Sequence, residues 1–368
     1  MEIKRSGASL SRIVLIGEKL KKISLKEKVD YLLLNRGVNS VVNINLKDVV
    51  KNIDFNSTDI QVYPAGAGVP ALREAINVEY FNSTSKASNI LITAGGMNAL
   101  DLIVQTVDMD YLFLPTYYWG CYFQMLKVRK VGNKEYSSQS ELYDMIDELR
   151  GNAVLICDPG NPLGEKYDDE EQFKLIKTLS DNNVTVFFDS PYRRIFYNSK
   201  DDYYSRLMEL KNVVITESFS KSVGLSGQRL GFIHSTNKEL IDELAIRLMY
   251  CTNGVNAFAQ HVVLSLLTTP EGVKASNDFK KATANDIFLN IKYLQKRGFL
   301  VEKYYNTSVP KGIFAVVNFT EEELLKYYIG SVSLSFFTKT QKEEASNYAR
   351  ICVSSPHERF VSYFDAIK

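Results

Sequence analysis

Residues 218–231 read Ser218-Phe219-Ser220-Lys221-Ser222-Val223-Gly224-Leu225-Ser226-Gly227-Gln228-Arg229-Leu230-Gly231. An apolar run at 213–216 comes just before this stretch and predicts a buried strand. Gly224 and Gly227 permit a tight backbone after it. We therefore expect Lys221 to lie in a cleft. Burial disfavours the ammonium form of a lysine, so its neutral amine could attack an aldehyde and form a Schiff base.

The same stretch carries the groups of a phosphate site. The hydroxyls of Ser218 and Ser220 and the guanidinium of Arg229 can converge on a dianion, and phosphate suits them because arginine presents paired donors to its oxygens. An amine nucleophile beside a phosphate site is what pyridoxal 5'-phosphate requires. For the short S-x-S-K motif alone, a surface lysine followed by an ion-paired arginine is an equally good interpretation.

At its full length the stretch resembles the attachment site of the class I and II aminotransferases, which are fold-type-I enzymes that use pyridoxal 5'-phosphate. That site reads S-x-[ST]-K followed by x-x-G-L-x-G-x-R-[IL]-G, and every fixed position is met here. Further landmarks extend from Tyr63 to Arg350. The resemblance implies an α/β fold with a large, mostly parallel α/β domain and a smaller α+β domain. We expect an arm and the first part of the small domain at 1–50, the large domain at 51–265 and the rest of the small domain at 266–368.

Length and composition fit such an architecture. A chain of 368 residues with 45% hydrophobic content can bury a large core. The formal charge is +1 from 44 basic and 43 acidic side chains, without a block of like charge, so neither nucleic acid nor a membrane surface is an expected partner. The four cysteines and three histidines are scattered, which predicts no metal site and fits a reducing compartment. With no apolar leader or membrane-length run, we expect a cytoplasmic protein.

The first 50 residues are weakly periodic. They predict short helices, including one near 29–34, before a strand at 41–46. In the resembling family, the segment after such an arm often has a glycine near the substrate carboxylate. Residues 42–46 read Val42-Asn43-Ile44-Asn45-Leu46, so that contact is not expected there.

Two glycine-rich turns match further family motifs. The first begins at Tyr63 and fits Y-x-x-G-x-G-x-x-x-L-R, whose tyrosine reaches the cofactor phosphate of the neighbouring subunit; an ordinary loop is the alternative. The second, Gly95 and Gly96, lies between a strand at 89–93 and a helix, where free backbone N–H groups make an anion site. The resemblance implies that both glycines contact the phosphate. It also implies a homodimer with shared active sites.

The loops after the next strands supply candidates for holding the cofactor ring. Tyr117 matches the aromatic residue of P-x-[YW], which stacks on the pyridine ring. Tyr118 and Trp119 have no assignment, although one of them could line the substrate pocket. Asn161 fits the N-P-x-G motif, whose asparagine bonds the phenolic oxygen of the cofactor, and it is also expected to contact the substrate.

A D-x-x-Y motif follows the strand at 184–188. In the family its aspartate, here Asp189, keeps the pyridine nitrogen protonated, and its tyrosine, here Tyr192, donates to the phenolic oxygen. Ser190 and Pro191 depart from the usual acidic residue and alanine, which predicts a local backbone difference. An aspartate at a strand end could instead cap a helix.

Two arginines are candidates for binding substrate. Arg350 matches the arginine of R-[IL]-x-x-[SA], which binds the substrate α-carboxylate in a bidentate pair. Arg247 lies in the general region where dicarboxylate-selective members carry an arginine for the distal carboxylate. A solvated helix arginine is the more common explanation for Arg247, because no local motif supports the role.

The predicted function is that of an aminotransferase with catalytic residues Lys221, Asp189 and Tyr192. It would move an amino group between an amino acid and a 2-oxo acid through a Schiff base at Lys221. Another reaction of the same cofactor, such as β-elimination, cyclisation or oxidation, is the nearest alternative. Acyl-transferring relatives stack a histidine where Tyr117 stands. A cofactor-binding regulator without turnover is a further alternative, although no helix-turn-helix or basic cluster precedes the first motif.

Overall fold

A seven-stranded sheet forms the centre of the part of the chain that the structure describes. The computed structural model describes residues 1–197, 201–305, 307 and 309–367. The strands are β1 (Leu32–Leu33), β2 (Ile90–Thr93), β3 (Tyr111–Pro115), β4 (Gly132–Tyr136), β5 (Ala153–Cys157), β6 (Thr185–Asp189), β7 (Val213–Ser218), β8 (Gly231–His234), β9 (Phe314–Val317), β10 (Ile329–Gly330), β11 (Val332–Ser333) and β12 (Ala349–Cys352). The central sheet has the order β2-β8-β7-β6-β5-β3-β4. Strand β8 runs antiparallel to both of its neighbours, β2 and β7, and the other described pairs in this sheet are parallel.

Helices cover both faces of the sheet, which is why its inner strands are buried along nearly their whole length. The helices are α1 (Arg12–Glu27), α2 (Thr58–Gln61), α3 (Pro70–Phe81), α4 (Gly96–Thr106), α5 (Gly120–Arg129), α6 (Glu141–Asp144), α7 (Ile146–Leu149), α8 (Asp169–Asp181), α9 (Arg193–Phe196), α10 (Tyr203–Leu207), α11 (Phe219–Ser222), α12 (Lys238–Thr252), α13 (Ala257–Thr268), α14 (Pro270–Lys296), α15 (Glu321–Lys326), α16 (Lys342–Ala345) and α17 (His357–Phe364). Among the described residues, no helix combines the length and apolar character needed to cross a bilayer.

Two smaller sheets form from the ends of the chain. Strands β11, β12 and β9 make an antiparallel sheet, while β1 pairs with β10 in parallel. A first hydrophobic cluster lies around the central sheet, with fully buried members from Val49 to Leu266. Two further clusters pack around the antiparallel sheet. On this basis we propose that residues from about 51 to 265 form the large domain and that the two ends of the chain form the small domain.

The α/β fold class predicted from the sequence is confirmed, but the N-terminal prediction is partly wrong. Helix α1 is a single helix of 16 residues, and the segment near 29–34 contributes strand β1 instead of a helix. Residues 41–46 do not form a strand. Their valine, isoleucine and leucine side chains suit a strand, but a strand also needs a neighbouring backbone to bond with. The segment instead lies beside α14, where residues 42–45 line a shallow cavity with residues of that helix.

Candidate active site

The parallel strands bring their carboxyl ends to one edge of the central sheet, where ligands bind in open α/β folds. Strand β7 ends at Ser218 and is followed at once by α11, which carries Lys221. Asp189 is the last residue of β6, and its register partner on β7 is Thr216. The loop after β5 carries Asn161. The fold therefore collects at one edge the groups that the sequence spreads over more than 60 positions.

Lys221 has the electrostatic character expected of a nucleophilic amine. Burial lowers the pKa of Lys221 to about 8. The Cys352 thiol opposes this shift, whereas the guanidinium groups of Arg229, Arg36 and Arg350 add to it. A substantial fraction of the amine is therefore neutral near physiological pH.

The phosphate site predicted from the sequence is brought together around Arg229. Its Nη1 lies 3.5 Å from Oγ of Ser220. A Cβ added to Gly95 would lie 2.8 Å from Nη2 of Arg229, and one added to Gly96 would lie 3.4 Å from Cβ of Ser218. Gly95 also has a φ of +87° and stands at the start of α4. Glycine is needed at position 95 both for this backbone conformation and for the close approach of the guanidinium.

Asp189 is buried and receives a hydrogen bond on each oxygen. The Tyr122 hydroxyl donates to Oδ2 at 2.5 Å, and the Thr216 hydroxyl donates to Oδ1 at 2.9 Å. Burial raises the pKa of Asp189 to about 6, although both hydrogen bonds favour the carboxylate. A cationic ring nitrogen would be a suitable partner for this carboxylate, since a buried charge needs a counter-charge.

Asn161 and Tyr192 form a pair at the same edge. The Asn161 amide donates to the Tyr192 hydroxyl at 3.3 Å. Oδ1 of Asn161 is buried and has no hydrogen-bond partner among the described residues. The ring of Tyr192 packs edge-on against Phe314, with 5.4 Å between centroids. The free carbonyl oxygen marks a position where a polar group of a ligand can bind.

Arg350 is almost completely buried, at 1% exposure, and has no carboxylate partner in the described part of the chain. Its Nη2 donates to the carbonyl of Asn35 at 2.8 Å, and its guanidinium lies over the rings of Phe314 and Phe337. Burial lowers the pKa of Arg350 to about 10, and its Nε has no partner among the described residues. Such a guanidinium is poised to bind a carboxylate.

The aromatic residues after β3 separate into two groups. Tyr117 packs edge-on against Tyr304, and their hydroxyls lie 3.3 Å apart. It lines a cavity of about 630 Å³ together with Asn161. Trp119 instead packs edge-on against Tyr122, the residue that bonds Asp189.

Two of the predicted contacts are not made within the described residues. Tyr63 is 81% exposed, as is required of a residue meant to reach another subunit. Arg247 is half-exposed and ion-paired with Glu243 on the same helix, with 2.8 Å between Nε and Oε1.

Sequence reasoning missed four residues of this site. Tyr122 and Thr216 both bond Asp189, and Asn35 bonds Arg350. A Cβ on Gly37 would lie 2.4 Å from the ring of Phe314, so the glycine beside Arg350 comes from residues 35–37 and not from 42–46. The N-R-G sequence at 35–37 was the available signal, but no local motif ties it to Arg350.

The groups present fit pyridoxal 5'-phosphate. The close approach of Gly95 and Arg229 suits a phosphate, the carboxylate of Asp189 suits a pyridinium nitrogen, and the buried Oδ1 of Asn161 is free to accept a hydrogen bond from a ligand. Among the described residues, no group of three or more His, Cys, Asp or Glu side chains could hold a metal.

Comparison with known proteins gives one consistent result. The family model "Aminotransferase class I and II" matches residues 29–360. The probable aspartate/prephenate aminotransferase of Aquifex aeolicus is 28% identical over 236 residues, which are 60% of this chain and 60% of that protein. The aspartate aminotransferase of Pyrococcus horikoshii is 25% identical over 292 residues, covering 74% of this chain and 71% of that protein.

Solved structures agree in fold. The aspartate aminotransferase of Thermus thermophilus superposes with a TM-score of 0.83 at 18% identity, covering 99% of this chain and 98% of that one. An aminotransferase from Mycobacterium tuberculosis gives 0.82 at 17% identity, with 100% and 98% covered. Identities this low show the fold alone, and they confirm the fold class predicted from the sequence.

Proposed function

Because this chain belongs to the class I and II aminotransferase family, we propose that it transfers an amino group between an amino acid and a 2-oxo acid, with pyridoxal 5'-phosphate attached to Lys221. The observation that carries the proposal is the Lys221 amine, with a pKa lowered to about 8, at the sheet edge where Arg229 and Asp189 also lie. An anion site and a carboxylate on the same edge match the two charged ends of the cofactor.

When bound, pyridoxal 5'-phosphate supplies an electron sink for the charge that is left on the substrate Cα after proton loss. The residues proposed to hold its phosphate are Ser218, Ser220, Arg229, Gly95 and Gly96, with Tyr63 from the second subunit. Asp189 would hold the pyridine nitrogen, while Asn161 and Tyr192 would hold the phenolic oxygen. Tyr117 is the sequence-based assignment for the stacking ring.

Lys221 is proposed to move the proton. Its Nζ takes the proton from the substrate Cα and later delivers a proton, a role that needs a pKa near the working pH. Burial supplies that pKa here. Tyr192, whose pKa burial raises well above its usual range, would stay protonated and act as a hydrogen-bond donor throughout.

Arg350 is proposed to bind the α-carboxylate of the substrate. It is buried, it lacks an acidic partner among the described residues, and its planar fork matches a carboxylate in two parallel hydrogen bonds. The Asn35 carbonyl and the two phenylalanine rings hold the guanidinium in one orientation. Asn161 would complete the site with its amide.

We also propose a homodimer with shared active sites. A Cβ on Gly254 would lie 3.1 Å from the ring of Pro64, which places Tyr63 beside the end of α12. Tyr250 at that end is 83% exposed, and Val62 and Met249 are exposed as well. An apolar patch of this kind on both copies suits an isologous interface. Sedimentation equilibrium should give twice the chain mass, and Tyr250→Arg should shift the equilibrium toward the monomer. The cytoplasmic location stays a prediction.

The attachment test uses a second lysine as its internal control. Burial lowers the pKa of Lys280 to about 8 as well, yet the charges that act on Lys280 are those of Arg194, Glu79 and Glu217, whereas Arg229 and Arg350 act on Lys221. Borohydride reduction of the loaded protein, followed by peptide mass analysis, should label Lys221 and leave Lys280 unlabelled. Label on Lys280, or on no lysine, would contradict the proposal.

The reaction test is a single half-reaction. A suitable amino acid should yield one 2-oxo acid per site and then stop, and adding a 2-oxo acid should return the original absorption spectrum. Continuous release of ammonia or consumption of oxygen without an acceptor would instead show a lyase or an oxidase on this fold.

A further inference from the structure

Three guanidinium groups act on the amine of Lys221, and only two have a proposed ligand. Arg229 is assigned to the cofactor phosphate and Arg350 to the substrate α-carboxylate. Arg36 is the third. Like charges near one another are unfavourable unless anions lie between them. A site with three arginines and a lysine is therefore suited to bind more negative charge than one phosphate and one carboxylate.

Arg36 is connected to the α-carboxylate site through its two chain neighbours. The carbonyl of Asn35 accepts the 2.8 Å hydrogen bond from Nη2 of Arg350. The backbone of Gly37 packs against the ring of Phe314, on which the guanidinium of Arg350 lies at 4.5 Å. Residue 36 is therefore anchored on both sides against the groups that hold Arg350.

Helix α1 leaves room for the Arg36 side chain. A Cβ added to Gly17, which is buried in that helix, would lie 3.6 Å from Cδ of Arg36 and 2.9 Å from the side-chain amide of Asn35. Arg36 itself is exposed. The stem of the side chain thus passes α1, and the residue is exposed while its charge still acts on the amine of Lys221.

The backbone carbonyl of Arg36 accepts a hydrogen bond from the N–H of Val38, but its guanidinium forms no ion pair and no hydrogen bond with any residue that the structure describes. Arg247, the residue that the sequence suggested for a distal carboxylate, differs in this respect because Glu243 already neutralises it. Binding a ligand carboxylate at Arg247 would require breaking that pair. Arg36 has no such competitor.

We propose that Arg36 binds a second anionic group on the side chain of the substrate, a carboxylate or a phosphate, and thereby selects dianionic amino acids. This inference rests on the proposed function, since it takes Arg350 as the α-carboxylate site. The guanidinium groups of Arg350 and Arg36 would together bind a substrate that carries one anionic group on Cα and another on its side chain. A substrate with a neutral side chain uses Arg350 alone.

The test measures binding of unreactive analogues to the loaded enzyme by calorimetry. Succinate carries two carboxylates, 3-phosphonopropionate replaces one with a phosphonate, and butyrate carries a single carboxylate on a chain of similar length. Arg36→Gln should weaken binding of one or both dianions about 10-fold or more, because a hydrogen bond between charged groups is lost, and leave butyrate unchanged. The dianion with the larger loss identifies which group Arg36 binds.

Three further variants distinguish a failure of the Arg36 inference from a failure of the proposed function. Arg206→Gln removes an arginine that is ion-paired with Glu170 on the surface, and it should change none of the three affinities. Arg350→Lys should weaken all three analogues. If Arg350→Lys does so and Arg36→Gln leaves the dianions unaffected, the Arg36 inference is wrong and the proposed function stands. Loss of dianion binding in Arg247→Gln instead would also overturn it. If Arg350→Lys changes none, the α-carboxylate assignment itself fails.

Discussion

The hydroxyl of Tyr122 donates a 2.5 Å hydrogen bond to Oδ2 of Asp189, and this contact joins two residues that are 67 positions apart in the chain. It stabilises the charged form of a carboxyl group whose pKa burial raises to about 6. Tyr122 thus helps to keep Asp189 ionised, which is the state that a protonated ring nitrogen requires.

Replacing Tyr122 with phenylalanine should therefore raise the pKa of Asp189 further. The affinity of the apoprotein for pyridoxal 5'-phosphate should fall as the pH drops through the Asp189 pKa, and in Tyr122→Phe this fall should occur at higher pH. Fluorescence titration of cofactor binding between pH 5 and 8 measures the midpoint. Thr216→Val removes the other donor and should shift the midpoint in the same direction. Identical midpoints in all three proteins would contradict this role.

The contacts of Trp119 predict a larger effect on cofactor binding than those of Tyr117. Trp119 packs on Tyr122, one hydrogen bond away from Asp189, whereas Tyr117 packs on Tyr304 beside the cavity. We expect Trp119→Ala to weaken cofactor affinity by about 5-fold, since an aromatic contact contributes around 1 kcal/mol beyond its buried area and every 1.4 kcal/mol is tenfold in affinity. Tyr117→Ala should have a smaller effect on cofactor affinity. The reverse order would support the stacking role that the sequence motif assigns to Tyr117.

Arg193 should be a major contributor to stability. It is fully buried and donates to Asp169 at 2.8 and 2.9 Å and to Asp201 at 2.7 Å. Arg193→Met leaves the carboxylate of Asp201 without its ion-pair partner and leaves Asp169 with Lys166 alone, which should lower the free energy of unfolding by about 3–5 kcal/mol. Urea denaturation of wild type and variant measures this difference in the free energy of unfolding. The matched variant Arg206→Met breaks the more exposed pair with Glu170 and should cost less than about 1 kcal/mol. Equal losses would show that burial of the pair is not what matters.

Glu217 should make stability depend on pH. Burial raises its pKa from 4.5 to about 8, although the Tyr204 hydroxyl and the Ser218 N–H both donate to it. The folded protein therefore keeps a proton that the unfolded chain releases above pH 4.5. The free energy of unfolding should fall as pH rises from 4.5 to 8, by up to about 1.4 kcal/mol per pH unit. Below pH 4.5 there is no such loss.

Glu217→Gln cannot ionise and serves as the reference. The difference in unfolding free energy between wild type and Glu217→Gln, measured with denaturant at pH 5 and pH 8, should move in favour of the variant at pH 8. A difference that stays constant between the two pH values would contradict the raised pKa of Glu217.

Sequence periodicity predicted the elements whose signals are local. The apolar run at 213–216 lies in strand β7, and the glycine turn after 89–93 opens helix α4. The strand predicted at 41–46 failed because its side chains suit a strand while no neighbouring strand is available to it. A strand depends on distant backbone, whereas a turn depends on the residues within it.

The sequence by itself determined the family and the α/β class and predicted the attachment lysine, because an amine, the serine and arginine groups of a phosphate site and their spacing lie within fourteen consecutive residues. Only the tertiary structure decided which groups surround Asp189 and Arg350. Thr216 reaches Asp189 through the register of β6 and β7, and Asn35 reaches Arg350 across 315 positions of chain. Strand order and register follow from how the whole chain packs its apolar surface, so no local stretch contains them.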